Sequence, residues 1–152
     1  MAARAAGYVV GLASAAVAAG SRFSLAVSGG QTRLAMFGAL AAADMPWPSA
    51  GLFQVDERVA VLDETSALVA VTRPCQGNRR MTLTYPAMAR AARILWLVTG
   101  ADKQQPLARL LSGHRSIPAG RVAAGHSPVM ADAQAAERVR GVAPAHRDGD
   151  QG

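Results

Sequence analysis

The sequence is poor in cysteine, aromatic residues and lysine, and each shortage excludes or disfavours a structural feature or a class of ligand. Cys75 is the single cysteine in 152 residues, so no intrachain disulfide can form. Aromatic residues make up 5% of the chain, which leaves few side chains on which nucleic-acid bases can stack. Lys103 is the only lysine, and the arginines are scattered rather than gathered in a stripe. Despite a net charge of +6, we therefore predict no nucleic-acid partner and favour a small anionic ligand.

The chain also lacks a long apolar run. No stretch reaches the roughly 18 apolar residues of a membrane span, so we expect no membrane association. Arg4 and the apolar residues after it resemble a signal peptide, but Gly7, Gly11 and Ser14 dilute the apolar stretch. We therefore favour an alanine-rich amphipathic helix over a signal peptide, and we predict a cytoplasmic protein.

Length and composition predict one folded domain. An apolar fraction of 51% and a charged fraction of 17% argue against general disorder, and the chain is long enough for one core. We expect a single domain over residues 1–143 and a disordered tail over residues 144–152.

Strand and helix patterns alternate along the chain. Apolar stretches predict strands over residues 23–27, 51–55, 81–85 and 94–98. Apolar spacing and stop signals predict helices over 4–19, 33–43 and 86–93, and two more that Asp102 and Asp132 cap and that Gly113 and Gly141 end. This alternation predicts an α/β fold with a mostly parallel sheet flanked by helices. In such a sheet, the ligand site lies beyond the carboxyl ends of the strands.

The first of three polar loops at predicted strand ends is rich in glycine. It reads Ser28-Gly29-Gly30-Gln31-Thr32 and leads into a predicted helix. Its bare backbone, its two hydroxyls and the free N–H groups of the helix would suit an anion. A tight turn without a ligand is an equally good explanation of this loop by itself, because glycine favours such turns.

The other two loops carry charge. Asp56-Glu57-Arg58 places carboxylates where they could act as a base, although a solvated turn with an ion pair explains this loop more simply when it is taken alone. Lys103 ends the loop Thr99–Lys103 near a predicted helix start, where the macrodipole disfavours a cation. A bound phosphate would remove that conflict; the alternative is that Lys103 points into water.

Four strings in this order make the sequence similar to a known family. SGGQT, FQVDERV, RRMTLTYPAM and LVTGADK resemble the 6-phosphogluconolactonase family, which is grouped with the glucosamine-6-phosphate isomerases and deaminases. The resemblance extends from about residue 8 to about residue 136. It implies a Rossmann-like sheet and the hydrolysis of 6-phosphogluconolactone to 6-phosphogluconate in the pentose phosphate pathway. It also implies that no metal or organic cofactor is required.

The resemblance implies a role for particular residues. The substrate phosphate would be surrounded by the loop residues Ser28, Gly29, Gly30 and Thr32. Its charge would be neutralised by Arg80 and Lys103. Asp56 and Arg58 would border the sugar ring. In the family a histidine acts as the general base that activates water.

The sequence departs from the family pattern at that base. The family histidine belongs to a motif of the form G-x-D-G-H-T-A-S-L-F-P, and no such string is present. The histidines of this chain are His114, His126 and His146, and none follows an Asp-Gly pair. The section between DERV and TLT is also shorter than in the family, with an apparent internal deletion near residues 64–71. We therefore expect impaired catalysis, with Asp56 as the first catalytic candidate and Glu57 or a repositioned histidine as alternatives.

Three functions remain open from the sequence. The first is an impaired lactonase acting on a phosphosugar lactone. The second is a non-catalytic remnant that binds sugar phosphates. The third is a deaminase-like isomerase, in which Asp56 would transfer a proton on an amino sugar. Because the loss of a strand would leave an unpaired sheet edge, we also expect a marginally stable or oligomer-prone protein, in which a homo-oligomer could form through that edge.

Overall fold

The computed structural model describes residues 1–28, 32–55, 64–71, 81–122 and 127–139. Its helices are α1 (Ala2–Ala18), α2 (Thr32–Ala41), α3 (Tyr85–Ala89), α4 (Gln104–Leu111) and α5 (Pro118–Arg121). Its strands are β1 (Phe23–Ser28), β2 (Ala50–Val55), β3 (Val69–Val71), β4 (Met81–Leu83), β5 (Trp96–Val98) and β6 (Val129–Ala131). Short 3₁₀ helices span Trp47–Ser49, Ala101–Lys103 and Glu137–Val139.

The core forms around α1 and α2. One face of α1 is buried and consists of Ala5, Ala6, Val9 and Ala13. Because three of these side chains are only methyl groups, α2 can approach α1 closely, and it buries Met36 and Leu40 at this contact. Half-buried side chains of four strands, among them Leu25, Ala50, Leu97 and Met130, pack against the same cluster. Strands from both parallel pairs are therefore attached to one core.

In the described part of the chain, the strands form pairs rather than one sheet. β1 and β2 are parallel, with Phe23 opposite Ala50 and Ser28 opposite Val55. β5 and β6 are parallel, and β3 and β4 are antiparallel. The mixture of helices and small parallel sheets fits the predicted α/β class. A continuous Rossmann-like sheet is shown only in part, because the described strands form three two-stranded sheets and four of the strands have only three residues.

The β1–β2 pair is only partly covered by the core. Burial alternates along β1, where Ser24, Ala26 and Ser28 are exposed and the residues between them are half-buried. Leu52 and Phe53 of β2 are 56% and 54% exposed. Parallel sheets are usually covered on both faces, so this pair leaves apolar side chains open to solvent.

Several predicted boundaries were wrong. The strand expected over 81–85 ends at Leu83, because Thr84 caps α3, and this helix ends at Ala89 rather than at residue 93. The predicted Asp132 helix is replaced by turns and a 3₁₀ helix up to Val139; Gly141 lies outside the described residues. Within the described ranges, the helices are all too short or too polar to cross a bilayer.

Candidate functional site

The candidate site lies at the carboxyl ends of β5 and β6. After β5 the chain passes through Gly100, whose φ of +95° and ψ of 151° suit glycine and few other residues. A 3₁₀ helix from Ala101 to Lys103 follows and leads into α4. The N–H group of Lys103 donates to the carbonyl of Gly100 at 3.1 Å, which fixes the backbone of the lysine relative to this glycine.

Lys103 pairs with its neighbour rather than pointing freely into water. Its Nζ donates to Oδ2 of Asp102 at 2.5 Å, and the two side chains are 52% and 71% exposed. This hydrogen bond from Lys103 holds the pKa of Asp102 below its ordinary value. The predicted role of Asp102 as a helix cap was wrong, because α4 starts at Gln104 without a side-chain cap. The pair is exposed, so a stronger anion can displace Asp102 from the lysine at little cost.

Asp132, the first residue after β6, joins the ends of both strands. Its N–H group donates to the carbonyl of Val98 in β5 at 3.1 Å. Its carboxylate accepts from the N–H of Gly100 at 3.1 and 3.3 Å. The same carboxylate accepts from the N–H of Ala135 at 2.8 Å and so caps the turn after β6. Asp132 thereby connects the loop that carries Lys103 to the segment after β6.

A second contact joins the same two segments one residue further along. The side-chain amide of Gln104 donates to the carbonyl of Gln134 and to Oε2 of Glu137, both at 3.0 Å. The residues after β6 therefore hold the chain on both sides of Lys103, at Gly100 and at Gln104.

An open cleft lies beside Asp132. It has a volume of about 430 Å³ and is lined by Met1, Arg4 and residues 129–133. This volume is within the range of roughly 300–1,000 Å³ for small-ligand pockets. Its wall carries one cationic and one anionic side chain, Arg4 and Asp132, and neither was predicted from the sequence as a site residue.

The first predicted loop begins at the carboxyl end of the other parallel pair. Ser28 is exposed and is the last residue of β1, and Thr32 is the first residue of α2. Val55 lies opposite Ser28 at the end of β2. The chain positions that lead into the glycine-rich loop and into the acidic loop are therefore neighbours. The remaining predicted site residues, Gly29, Gly30, Asp56, Arg58 and Arg80, lie outside the described residues.

Of the three histidines, only His114 lies within the described residues. It is exposed, and its Nδ1 accepts a hydrogen bond from the N–H of Ser116 at 3.2 Å. This local contact makes His114 part of a turn after α4. His126 and His146 lie outside the described residues.

A comparison with protein families gives one match. A family model described as glucosamine-6-phosphate isomerases/6-phosphogluconolactonase matches residues 1–66 and 59–131. The two segments together cover more than half of the chain, and they overlap in residues 59–66. Searches of the curated proteins and of the solved structures give no significant match.

Proposed function

Because the chain belongs to the glucosamine-6-phosphate isomerase/6-phosphogluconolactonase family, we propose that it binds 6-phosphogluconolactone and hydrolyses it slowly to 6-phosphogluconate. The family match supports a function of the sugar-phosphate isomerase or lactonase type. The strings FQVDERV and LVTGADK favour the lactonase side, since they resemble that branch more closely. The observation that carries the proposal is the placement of Lys103, the only lysine of the chain, in a fixed turn beyond the end of a parallel strand.

The phosphate of the substrate would replace Asp102 as the partner of Lys103. A phosphate oxygen carries more charge than a carboxylate oxygen and accepts the same N–H donors. Leaving Asp102 costs little because both side chains of the pair are exposed. The resemblance adds Ser28, Gly29, Gly30, Thr32 and Arg80 as further phosphate contacts and Arg58 as a contact to the sugar.

The hydrolysis needs a base that the family motif does not supply here. A water oxygen attacks the lactone carbonyl carbon, the base accepts the proton of that water, and the ring oxygen leaves with a proton. Asp56 follows β2 directly in the chain and is our candidate for the base. A carboxylate has an ordinary pKa about 3 units below neutral pH and is a weaker base than histidine. Because general acid–base assistance is typically worth about 10²–10⁴-fold, we expect a rate reduced by a factor in that range.

The test is the hydrolysis of freshly generated 6-phosphogluconolactone, measured above the spontaneous rate. Lys103→Ala should weaken substrate binding by about 10- to 100-fold, because it removes a hydrogen bond between charged groups. Arg93→Ala is the matched control, since Arg93 is exposed, precedes β5 at the opposite end of the strand, and donates from its side chain to the carbonyl of Ala92. A rate above background that is equally insensitive to both variants would contradict the proposed phosphate contact.

The second candidate function is binding without catalysis, and the absence of a DGH sequence favours it. In that case 6-phosphogluconate binds and Lys103→Ala weakens this binding, while the lactone disappears at the spontaneous rate. Release of ammonia from glucosamine 6-phosphate would instead identify a deaminase-like isomerase.

A further inference from the structure

We propose that Asp132 is a positioning residue for phosphate binding: its carboxylate fixes the backbone of Gly100 and thereby the ammonium group of Lys103. This inference rests on the proposed function, because it assumes that Lys103 binds the phosphate of the substrate. Asp132 is absent from the phosphate contacts that the family resemblance implies, and the contact between Asp132 and Gly100 spans 32 residues of sequence.

The connection from Asp132 to Lys103 consists of two consecutive hydrogen bonds. Asp132 accepts from the N–H of Gly100 at 3.1 Å, and the carbonyl of Gly100 accepts from the N–H of Lys103 at 3.1 Å. Both ends of Gly100 are therefore held. Because glycine is free to adopt many backbone conformations, the loss of the Asp132 contact would allow Gly100 to turn and Lys103 to move with it.

The other side of Gly100 is also occupied. A Cβ atom at this position would lie 2.8 Å from Oδ1 of Asp102, so the glycine has a carboxylate close to its Cα as well as one on its N–H. Asp102 holds the ammonium group of Lys103 directly, whereas Asp132 holds the backbone that carries it. The two carboxylates therefore have opposite effects on phosphate binding. Asp102 competes with the phosphate for the ammonium group of Lys103, whereas Asp132 fixes the loop in the conformation that binds the phosphate.

This difference can be tested by the sign of a mutational effect. Removing a carboxylate near an anion site strengthens anion binding if only charge matters, because the repulsion is lost. Asp102→Asn should follow this rule. Asp132→Ala removes the same charge, but we expect it to weaken the binding of 6-phosphogluconate by about tenfold, because the loop is no longer fixed by a charge-assisted hydrogen bond.

The experiment is titration calorimetry of 6-phosphogluconate with the full chain, with gluconate as the ligand that lacks the phosphate. Asp132→Asn keeps an acceptor oxygen without the charge, so it should bind more tightly than Asp132→Ala. Asp44→Ala is the control for the loss of a distant exposed carboxylate and should bind like the original chain. In parallel, amide hydrogen exchange should become faster at Gly100 and Lys103 in Asp132→Ala. Exchange in α1 should stay unchanged, and this would show that the variant keeps the fold.

The outcomes separate this inference from the proposed function. Weaker binding by Asp132→Ala together with tighter binding by Asp102→Asn supports the inference. Binding by Asp132→Ala that equals or exceeds that of the original chain overturns it. If the original chain does not bind 6-phosphogluconate, the proposed function fails, and the exchange rates decide the inference: faster exchange at Lys103 supports the positional role, and unchanged exchange overturns it. If Asp132→Ala does not fold, Asp132→Asn is compared with the original chain in the same two measurements.

Discussion

Thr84 offers the sharpest test of how the middle of the chain is held together. It is 1% exposed and lies between β4 and α3. Its hydroxyl donates to the carbonyl of Ala67 at 2.5 Å and accepts from the N–H of Ala87 at 3.4 Å. Its own N–H donates to the carbonyl of Leu68 at 3.2 Å. Thr84 thus connects the segment before β3, where the sequence predicts an internal deletion, to the helix after β4.

Thr84→Val keeps the shape of the side chain and removes both hydroxyl contacts. Loss of the hydrogen bond to Ala67 lowers the free energy of unfolding by only about 1 kcal/mol. The cost is small because Ala67 is exposed, so its carbonyl can accept a hydrogen bond from water instead. The lost cap of α3 contributes about another 1 kcal/mol. We therefore expect the free energy of unfolding to fall by about 2 kcal/mol. Thr84→Ser keeps the hydroxyl and loses one methyl group, which costs about 1 kcal/mol.

The assay is urea unfolding followed by helical circular dichroism, with the slope of the transition checked for each variant. Thr65→Val is the matched control, since Thr65 is exposed, and its effect should stay within about 0.5 kcal/mol. The reasoning is refuted if Thr84→Val is as stable as the original chain, or if Thr84→Ser is less stable than Thr84→Val.

Three further predictions concern single positions in the described part of the chain. Gly100→Ala should lower the stability measured by thermal unfolding by about 1–3 kcal/mol, because Gly100 has a positive φ and an added Cβ would contact Asp102. Gly11 lies on α1 with open space around it. Gly11→Ala should therefore raise the stability by about 0.5–1 kcal/mol. Glu64 accepts from the N–H of Ala67 and from Ser66, which lowers the pKa of Glu64 below its ordinary value of 4.5. A lowered pKa in the folded state adds stability above the unfolded pKa, and this stability is lost as the pH falls through the folded value. Glu64→Gln should therefore be less stable than the original chain near neutral pH, and this difference should shrink as the pH is lowered to about 3. A difference in unfolding free energy that stays constant over this pH range would contradict the prediction. Exposed Leu52 and Phe53 of β2 should promote association between copies, so sedimentation should show larger species at high concentration and fewer of them after Leu52→Ser.

The elements that the sequence predicted correctly depend on local patterns. Gly20 ends the helical region after α1 with a φ of +73°, and the apolar alternation of residues 23–27 matches β1. The placement of Lys103 at the end of a strand follows equally from the apolar run before it. Each of these features is determined by side chains within a few residues of one another, so a periodic pattern or a single glycine is sufficient to locate it.

The contacts that the sequence could not predict connect distant segments. Asp132 has the sequence context of a helix cap, and its side chain does cap a turn through Ala135, but its contact to Gly100 depends on the pairing of β5 with β6. The same holds for Gln104, whose partners Gln134 and Glu137 lie 30 and 33 residues away. No spacing rule relates such positions, because the strand pairing that brings them together is a property of the whole fold.

The proposed site depends on both segments that match the family. Ser28 and the residues near Val55 belong to the first segment, and Lys103 belongs to the second. The strands that carry them form separate pairs, yet Leu25 of β1 and Leu97 of β5 pack against the same cluster of α1 and α2. The described strands can therefore attach both groups of proposed phosphate contacts to one core, although they belong to separate pairs. A general base has no such support, because it acts only if one particular side chain reaches the attacking water. The absence of the family histidine motif from the sequence should for this reason reduce catalysis far more than it reduces phosphate binding.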